Sequence, residues 1–320
     1  MLPLAIFLGA ASYLVLDMVP YLALHVEPGF SAFSKNVQPV LIATMLFLQF
    51  NNVSPHDLRL RKWHFIVLAF QVTMFVLFTW IAAELPDGNL KILAESAMLC
   101  FICPTAAAAG VITSRLGGSL SDTITYVVLI NITVAFIIPI VIPVFNSASD
   151  ATFFSSFCAI CMRVFPLLVL PLLLAWLIRY TARKLQKKLM RYAGWAFYFW
   201  GLSLGFSIYL ATRALVNSHI SFWIVVLIGI LSLACTLIQF KVGRTAGKVI
   251  DSKSSIDTSA DEITAGQSLG QKNSGFLIWL GCTYLTPVTS VAGGLYSVWQ
   301  NIINSIELYE KEHGDIARHA

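Results

Sequence analysis

Residues 265–275 are Ala-Gly-Gln-Ser-Leu-Gly-Gln-Lys-Asn-Ser-Gly, and the segment that follows, residues 276–285, is apolar. Glycines, amides and a lysine cannot face lipid, because hydrocarbon offers backbone and amide groups no hydrogen-bond partners. The stretch therefore lies either outside a membrane or in an interrupted helix buried against protein at membrane depth. A second interruption, Cys-Pro-Thr-Ala-Ala-Ala-Ala-Gly at residues 103–110, lies within a long apolar run of the first half. Paired interruptions in two halves of a membrane chain are typical of a substrate site near the midplane.

The composition indicates a helical membrane protein. The chain has 320 residues, of which 58% are hydrophobic and 12% charged, and its mean hydropathy is +0.78. Apolar stretches of about 20 residues, the length that crosses a bilayer, recur along it. The net charge of +5 is attributed to basic loops rather than to nucleic-acid binding. The first apolar run is interpreted as a retained helix, and the six cysteines, all in apolar segments, as packing residues rather than metal ligands.

Ten apolar segments predict an all-α polytopic membrane protein with ten transmembrane helices. The segments span residues 3–25, 37–52, 63–84, 92–114, 119–145, 155–180, 192–214, 219–241, 263–282 and 285–306. Two halves of five helices would be inverted relative to each other. The first repeat is expected over 1–145 and the second over 155–306, with the sixth helix and a basic cytoplasmic connection at 146–190. A polar cytoplasmic loop is predicted at 243–262 and a cytoplasmic tail at 307–320.

Lysine and arginine are distributed unequally between the connections. The odd-numbered connections hold only Lys35, Lys91 and Arg213. The even-numbered connections and the tail hold Arg59, Arg61, Lys62, Arg115, Arg179, Arg183, Lys184, Lys187, Lys188, Arg191, Lys241, Arg244, Lys248, Lys253, Lys311 and Arg318. Positive residues concentrate in cytoplasmic loops. Both termini are therefore predicted to lie in the cytoplasm, with the protein in the cell (inner) membrane.

Three motifs resemble those of the bile acid:sodium symporter family. Residues 103–113, Cys-Pro-Thr-Ala-Ala-Ala-Ala-Gly-Val-Ile-Thr, resemble its fourth-helix motif, Cys-Pro-Gly-Gly-Thr-x-Ser-Asn followed by an apolar pair. Residues 269–275, Leu-Gly-Gln-Lys-Asn-Ser-Gly, resemble its ninth-helix motif, Glu-x-Gly-x-Gln-Asn-Ser-Gly. Ser-Val-Trp-Gln-Asn at 297–301 is similar to Ser-Val-Trp-His-Asn of its tenth helix, and Gln71 in the third segment also fits. The motifs keep the family's order and spacing over nearly the whole chain.

The resemblance implies a fold of ten helices in two inverted five-helix repeats. In that fold a core domain carries two broken helices that cross near the midplane, and a panel domain packs beside it. Family members transport organic anions such as bile acids and small carboxylates, commonly coupled to sodium. By resemblance, the breaks of this chain lie at 104–110 and 270–275, with Pro104, Gly270 and Gly275 as the breaking residues.

The chain departs from the family at the sodium ligands. The family uses a Ser-Asn pair of the fourth helix, a Glu and a Gln of the ninth, and a Gln of the third. The first four of these positions are occupied here by Ala109, Gly110, Ser268 and Lys272. Only Gln71 and Asn273 remain as oxygen donors. Because an ammonium group donates no oxygen and repels a cation, neither sodium nor another metal or cofactor is expected.

Lys272 is predicted to replace the positive charge of a sodium ion. A charge at membrane depth is costly and is normally paired or faces a cavity. Desolvation favours the neutral amine, so Lys272 is expected either to bind the head of an anionic substrate or to carry a proton. The alternative is that it lies near a helix end and extends to the lipid headgroups.

Further residues are candidates for the same site. Those expected at the substrate or coupling site are Asn273, Gln271, Ser268, Gln71, Thr105 and Gly110, in addition to Lys272. Glu95 is interpreted as a gate, a proton site or an interfacial residue. Asn131 and Thr123 are either polar ion ligands, by resemblance, or helix–helix hydrogen-bonding residues.

These features predict a secondary transporter of a small or amphipathic organic anion, which works by alternating access without sodium and is proton-coupled or uncoupled. Two alternatives are open: a sodium-coupled symporter with relocated ligands, and a non-transporting membrane sensor or scaffold of the same fold. An enzyme is not predicted, since no paired carboxylates, histidine cluster or nucleophile–base pair lies at a common membrane depth. The expected partners are the anion and the lipid bilayer, without nucleic acid; a homodimer is left open.

Overall fold

The computed structural model describes residues 2–106, 108–145, 152–218, 220–250 and 258–319, and the regular structure of these ranges is helical. The α-helices are α1 Leu2–Met18, α2 Pro20–His25, α3 Glu27–Phe50, α4 Lys62–Glu84, α5 Asn89–Ile102, α6 Ala109–Leu116, α7 Leu120–Phe145, α8 Phe153–Leu168, α9 Leu170–Thr181, α10 Arg183–Met190, α11 Ala196–Ser218, α12 Phe222–Ile250, α13 Thr258–Gly270, α14 Ser274–Tyr284 and α15 Ser290–His319. Parts of several predicted segments lie outside the described residues: Met1 of the first repeat, Ala107 of the first break, 146–151 of the basic connection, His219 of the eighth segment, 251–257 of the polar loop and Ala320 of the tail.

The fourth and ninth predicted segments are both interrupted helices. The fourth consists of α5, which ends at Ile102, and α6, which begins at Ala109. The ninth consists of α13 and α14. The second break is shorter than predicted, because it covers only residues 271–273. Gly270 closes α13, whereas Gly275 lies inside the first turn of α14 and does not break the chain. The first and sixth segments are also helix pairs, α1–α2 and α8–α9.

Several helices are suited to a membrane. By length and apolarity, α4, α7, residues Tyr198–Ser218 of α11 and Phe222–Val249 of α12 can each cross a bilayer. The pair α8–α9, bent by 44°, would be a fifth such span. The protein is therefore helical with several apolar helices, as expected of a membrane-embedded chain. The remaining predicted segments are interrupted, shorter or more polar, so the described helices do not by themselves establish ten spans.

The predicted polar loop at 243–262 is wrong over its described part, which the end of α12 and the start of α13 occupy. Gly243 and Gly247 lie one turn apart on α12. A Cβ atom at either would collide with the backbone of α13, at Ala265 and Asp261 respectively. Small residues four positions apart let two helix backbones approach closely. Packing against α13 thus keeps this polar stretch helical.

The predicted tail at 307–320 is likewise helical as far as His319, as the continuation of α15. Glu307 accepts hydrogen bonds from the Arg244 guanidinium of α12 and from Gln267 Nε2 of α13, the latter at 2.6 Å. The end of α15 is therefore bound to both α12 and α13.

The largest apolar core surrounds the two interrupted helices. It includes Phe75 of α4, Leu99 of α5, Ile130 of α7 and Phe276 of α14, each fully buried. Backbone groups freed by a break in such surroundings are expected to form hydrogen bonds within the protein.

Candidate functional site at the helix crossing

The two interruptions meet at their backbones. Thr105 of the first break and Lys272 of the second form an isolated antiparallel bridge. The amide of Asn273 donates to the carbonyl of Pro104 at 2.8 Å, and Thr105 Oγ1 donates to the carbonyl of Ser268 at 2.6 Å. Backbone groups freed by one break thereby partner groups of the other. The structure therefore brings the two stretches singled out in the sequence into one site.

Gln71 of α4 caps the end of α5. Its Nε2 donates to the carbonyls of Ile102 at 3.3 Å and Cys103 at 3.0 Å. Its Oε1 accepts a hydrogen bond from Tyr126 OH at 2.9 Å. These bonds engage both ends of the amide, so Gln71 caps the end of α5 in this conformation.

The end of α13 is capped by residues that the sequence analysis did not select. Tyr296 OH of α15 donates to the carbonyl of Gly270 at 2.7 Å. Gln239 Nε2 of α12 lies 3.1 Å from Tyr296 OH, 3.1 Å from the carbonyl of Cys100 and 3.2 Å from that of Cys235. In the sequence, Gln239 could have been noticed as a glutamine within the apolar part of a predicted membrane helix. Its partners on α5 and α15 could not be read from the sequence.

Lys272 is fully buried, at 0% exposure. Its backbone amide donates to Gln300 Oε1 at 2.7 Å, and Gln300 Nε2 donates to its carbonyl at 3.2 Å. The Nζ atom has no hydrogen-bond partner among the described residues. Among the described residues, the thiols of Cys103 and Cys100 lie close enough to interact electrostatically with this side chain. The alternative that Lys272 extends to the headgroups is wrong, because the side chain is enclosed by protein.

Three neighbours of Lys272 in the sequence are also buried at the crossing. Asn273 Oδ1 caps α14 by accepting from the amide of Phe276 at 3.2 Å, and its Nδ2 has no partner among the described residues. Ser268 Oγ is buried without a partner in the same part of the chain, whereas Gln271 Nε2 donates to Gln267 Oε1. Buried polar atoms without partners are uncommon in folded proteins. Polar groups at the crossing are therefore free to form further hydrogen bonds with a ligand.

A second polar surface faces the start of α14 from α3 and α11. Gln38 Nε2 of α3 donates to Ser207 Oγ at 2.5 Å and to the carbonyl of Gly275 at 3.0 Å. Gln38 Oε1 and Ser203 Oγ are buried without partners among the described residues. A Cβ at Gly275 would lie 3.2 Å from Ser203 Oγ. We refer to Gln38, Ser203 and Ser207 as the α3/α11 polar surface; none of them was predicted.

Three predicted residues have structural partners away from the crossing's centre. Glu95 Oε2 accepts from the amide of Thr286 at 3.1 Å, which joins α5 to the connection before α15. Asn131 Nδ2 donates to the carbonyl of Val127 within α7 at 2.7 Å, and Thr123 Oγ1 donates to that of Ser119, which directly precedes α7, at 2.9 Å. Both hydrogen bonds run to a carbonyl four residues earlier in the chain, and neither joins α7 to another helix.

Gly110 lies in the first turn of α6, where it is buried. A Cβ there would approach Leu120 Cδ1 to 2.8 Å. The position thus allows α6 to pack against the start of α7 and contributes backbone rather than a side chain. Pro104 lies within the first break, as predicted, and its carbonyl accepts from the second break.

No group of three or more His, Cys, Asp or Glu side chains that could hold a metal ion occurs among the described residues. All six cysteines are free thiols. No protein-family model matches the chain, and no curated protein is significantly similar to it. The geometry of the crossing is therefore the basis for assigning a function to this protein.

Proposed function

We propose that this protein is a secondary transporter of small or amphipathic organic anions and that the helix crossing is its substrate and coupling site. One observation carries the proposal: Lys272 is fully buried where two interrupted helices meet, and no described residue hydrogen-bonds its Nζ. An ionisable group at membrane depth marks a functional site by default. Interrupted helices at that depth present N-termini whose partial positive charge attracts anions.

We also propose how the helices are arranged. The ten segments would form two inverted five-helix repeats, with the core and panel domains of the bile acid:sodium symporter family. The interruptions of the fourth and ninth segments, five segments apart, support this arrangement. The distribution of lysine and arginine supports an orientation in the cell membrane with both termini in the cytoplasm.

Lys272 would supply the charge that sodium supplies elsewhere in that family. Gln71 Oε1 and Asn273 Oδ1 each accept one hydrogen bond, from Tyr126 and from Phe276, and the ammonium group of Lys272, next to Asn273 in the sequence, would repel a sodium ion. A buried lysine can also lose its proton when its environment becomes less polar. Lys272 would therefore act as a resident cation, with transport either uncoupled or driven by protonation of this amine.

The anionic head of the substrate would lie between the start of α14 and the α3/α11 polar surface. Asn273 Nδ2 and Ser203 Oγ are buried donors without partners among the described residues, and both suit a carboxylate or sulfate oxygen. In the present conformation Gln38 joins α3 to the Gly275 carbonyl of α14. That hydrogen bond would break when the two domains separate to admit substrate.

Uptake into proteoliposomes tests the proposal. The purified protein is reconstituted and supplied with a panel of radiolabelled organic anions, in sodium or potassium buffer, with and without a pH gradient. Lys272→Gln is assayed beside Lys62→Gln, which removes an exposed lysine at the start of α4. We expect uptake that ignores sodium, is lost in Lys272→Gln and is kept in Lys62→Gln.

Two other results would redirect the interpretation. A strict sodium requirement would favour a symporter with relocated ligands. No uptake of any anion under any gradient, by protein shown to be folded, would favour the sensor or scaffold.

A further inference from the structure

A dense positive patch surrounds α10 and does not belong to the crossing. Its members are Arg179, Arg183, Lys184, Lys187, Lys188 and Arg191, here called the α10 cation cluster. The sequence contains no aspartate or glutamate between Asp150 and Asp251, and no ion pair of the described residues includes a member of the cluster. Cations elsewhere do have such partners, as in Arg61 with Asp122 at 3.3 Å. The cluster is a surplus of positive charge.

The fold presents these cations on one side of a fixed helix. At 3.6 residues per turn, the four cations of α10 occupy an arc of about 140°, and all four are exposed. Gln186, on the opposite side, is buried. Its Nε2 donates to the carbonyl of Asn51 at 3.2 Å, and Asn51 Nδ2 donates back to the carbonyl of Gln186 at 3.3 Å. This reciprocal pair ties α10 to the end of α3.

Apolar and aromatic side chains flank the cation arc. Leu185 and Met190 of α10 are exposed. Beyond the helix, the exposed Trp195 ring packs against Tyr192 and Tyr198, with centroid distances of 6.4 and 6.3 Å. A basic helix with an apolar side lies in the plane of a membrane interface, and tryptophan and tyrosine are enriched at that depth. A nucleic acid would leave the apolar side without a partner.

We propose that the α10 cation cluster is a binding site for the headgroups of anionic phospholipids in the leaflet that this end of the protein faces. The cations of α10 would contact lipid phosphate oxygens, while Leu185 and Met190 enter the upper acyl region. Arg179, partly exposed near the end of α9, adds a guanidinium group, and such groups bind phosphate bidentately. The site is independent of the transport reaction.

Lipid titration of the full-length protein in detergent tests this site. Dioleoylphosphatidylglycerol, dioleoylphosphatidylcholine and inorganic phosphate are added separately. The number of bound ligand molecules is measured by native mass spectrometry, and the Tm of the protein is measured for each addition. The test variant is K184Q/K187Q/K188Q. The matched control R59Q/K62Q/R115Q removes the same charge from exposed positions outside the cluster, and K184R/K187R/K188R keeps the charge.

We expect phosphatidylglycerol, and neither phosphatidylcholine nor phosphate, to bind and to raise the Tm. K184Q/K187Q/K188Q should weaken that binding by about tenfold or more, since each cation near an anionic surface contributes to the attraction. The control and arginine variants should bind as the parent does, and added salt should weaken binding in all of them. Equal losses in the test and control variants, or equal binding of phosphatidylcholine, would overturn the proposal. Phosphate binding as tight as lipid binding would also overturn it, as would displacement of the lipid by a DNA duplex.

Discussion

The backbones of Thr105 and Lys272 form an antiparallel bridge that joins two interrupted helices. Because the bridge uses main-chain atoms, it does not require the lysine side chain. Gln300 likewise bonds only the amide and carbonyl of Lys272. The fold at this position is therefore separable from whatever the buried ammonium does.

Replacement of Lys272 by methionine should stabilise the protein while abolishing transport. Methionine has a similar length, and it removes a buried cation whose Nζ has no partner among the described residues. We expect the free energy of unfolding to rise by about 1 kcal/mol or more. Thermal unfolding in detergent measures it, with Lys62→Met as the exposed control. A lowered Tm for Lys272→Met alone would mean that the ammonium has a stabilising partner.

Gln71→Leu should be strongly destabilising. The change leaves the carbonyls of Ile102 and Cys103 and the hydroxyl of Tyr126 without their present partner in a buried site. At about 1 kcal/mol or more for each such group, we expect a loss of about 3 kcal/mol. Tyr126→Phe, which removes one hydrogen bond, should cost about 1 kcal/mol. Denaturant titration of both variants checks the order, and equal losses would contradict the capping role of Gln71.

Gly270→Ala should destabilise the contact between α12 and α13. A Cβ at Gly270 would overlap the ring of Phe240. We expect a cost of about 1–3 kcal/mol, as for other overpacked sites. Gly194→Ala is the control, since no atom lies within 4 Å of the added methyl group. A double-mutant cycle with Phe240→Leu should show that the smaller side chain relieves part of the cost. Strict additivity would argue against this clash.

Gln38→Leu should weaken substrate binding without unfolding the protein. It removes the hydrogen bonds to Ser207 and to the Gly275 carbonyl, as well as a polar group of the proposed substrate site. For an anion that the parent transports, we expect KM to rise about tenfold, equivalent to one hydrogen bond. Thr44→Val is the control on the same helix, because its hydroxyl bonds only within α3, to the Val40 carbonyl. An unchanged KM would exclude Gln38 from the substrate site.

The locations of both interruptions and the approximate positions of most helices followed from the sequence, whereas α3 begins at Glu27 rather than at the predicted residue 37. Apolarity and the presence of proline, glycine and amides are local properties, so the break near Pro104 and that near Lys272 could be located before any contact was known. The polar stretch after Lys241 was wrongly predicted to be a loop from the same local properties. There, Gly243 and Gly247 let α12 pack closely against the backbone of α13, a contact that the local pattern does not contain.

The helical class of the protein, the approximate positions of most helices and the interest of Lys272 could thus be inferred from the amino-acid order alone. The folded chain was needed to show that the two breaks meet and that Lys272 is buried rather than directed to the headgroups. It was also needed to show that Tyr296 caps the end of α13 and that Gln239 bonds Tyr296 and α5. The physical reason is sequence distance. Thr105 and Ser268 are 163 residues apart, and hydrogen bonds across such a separation are fixed by how the helices pack, not by the residues next to each partner.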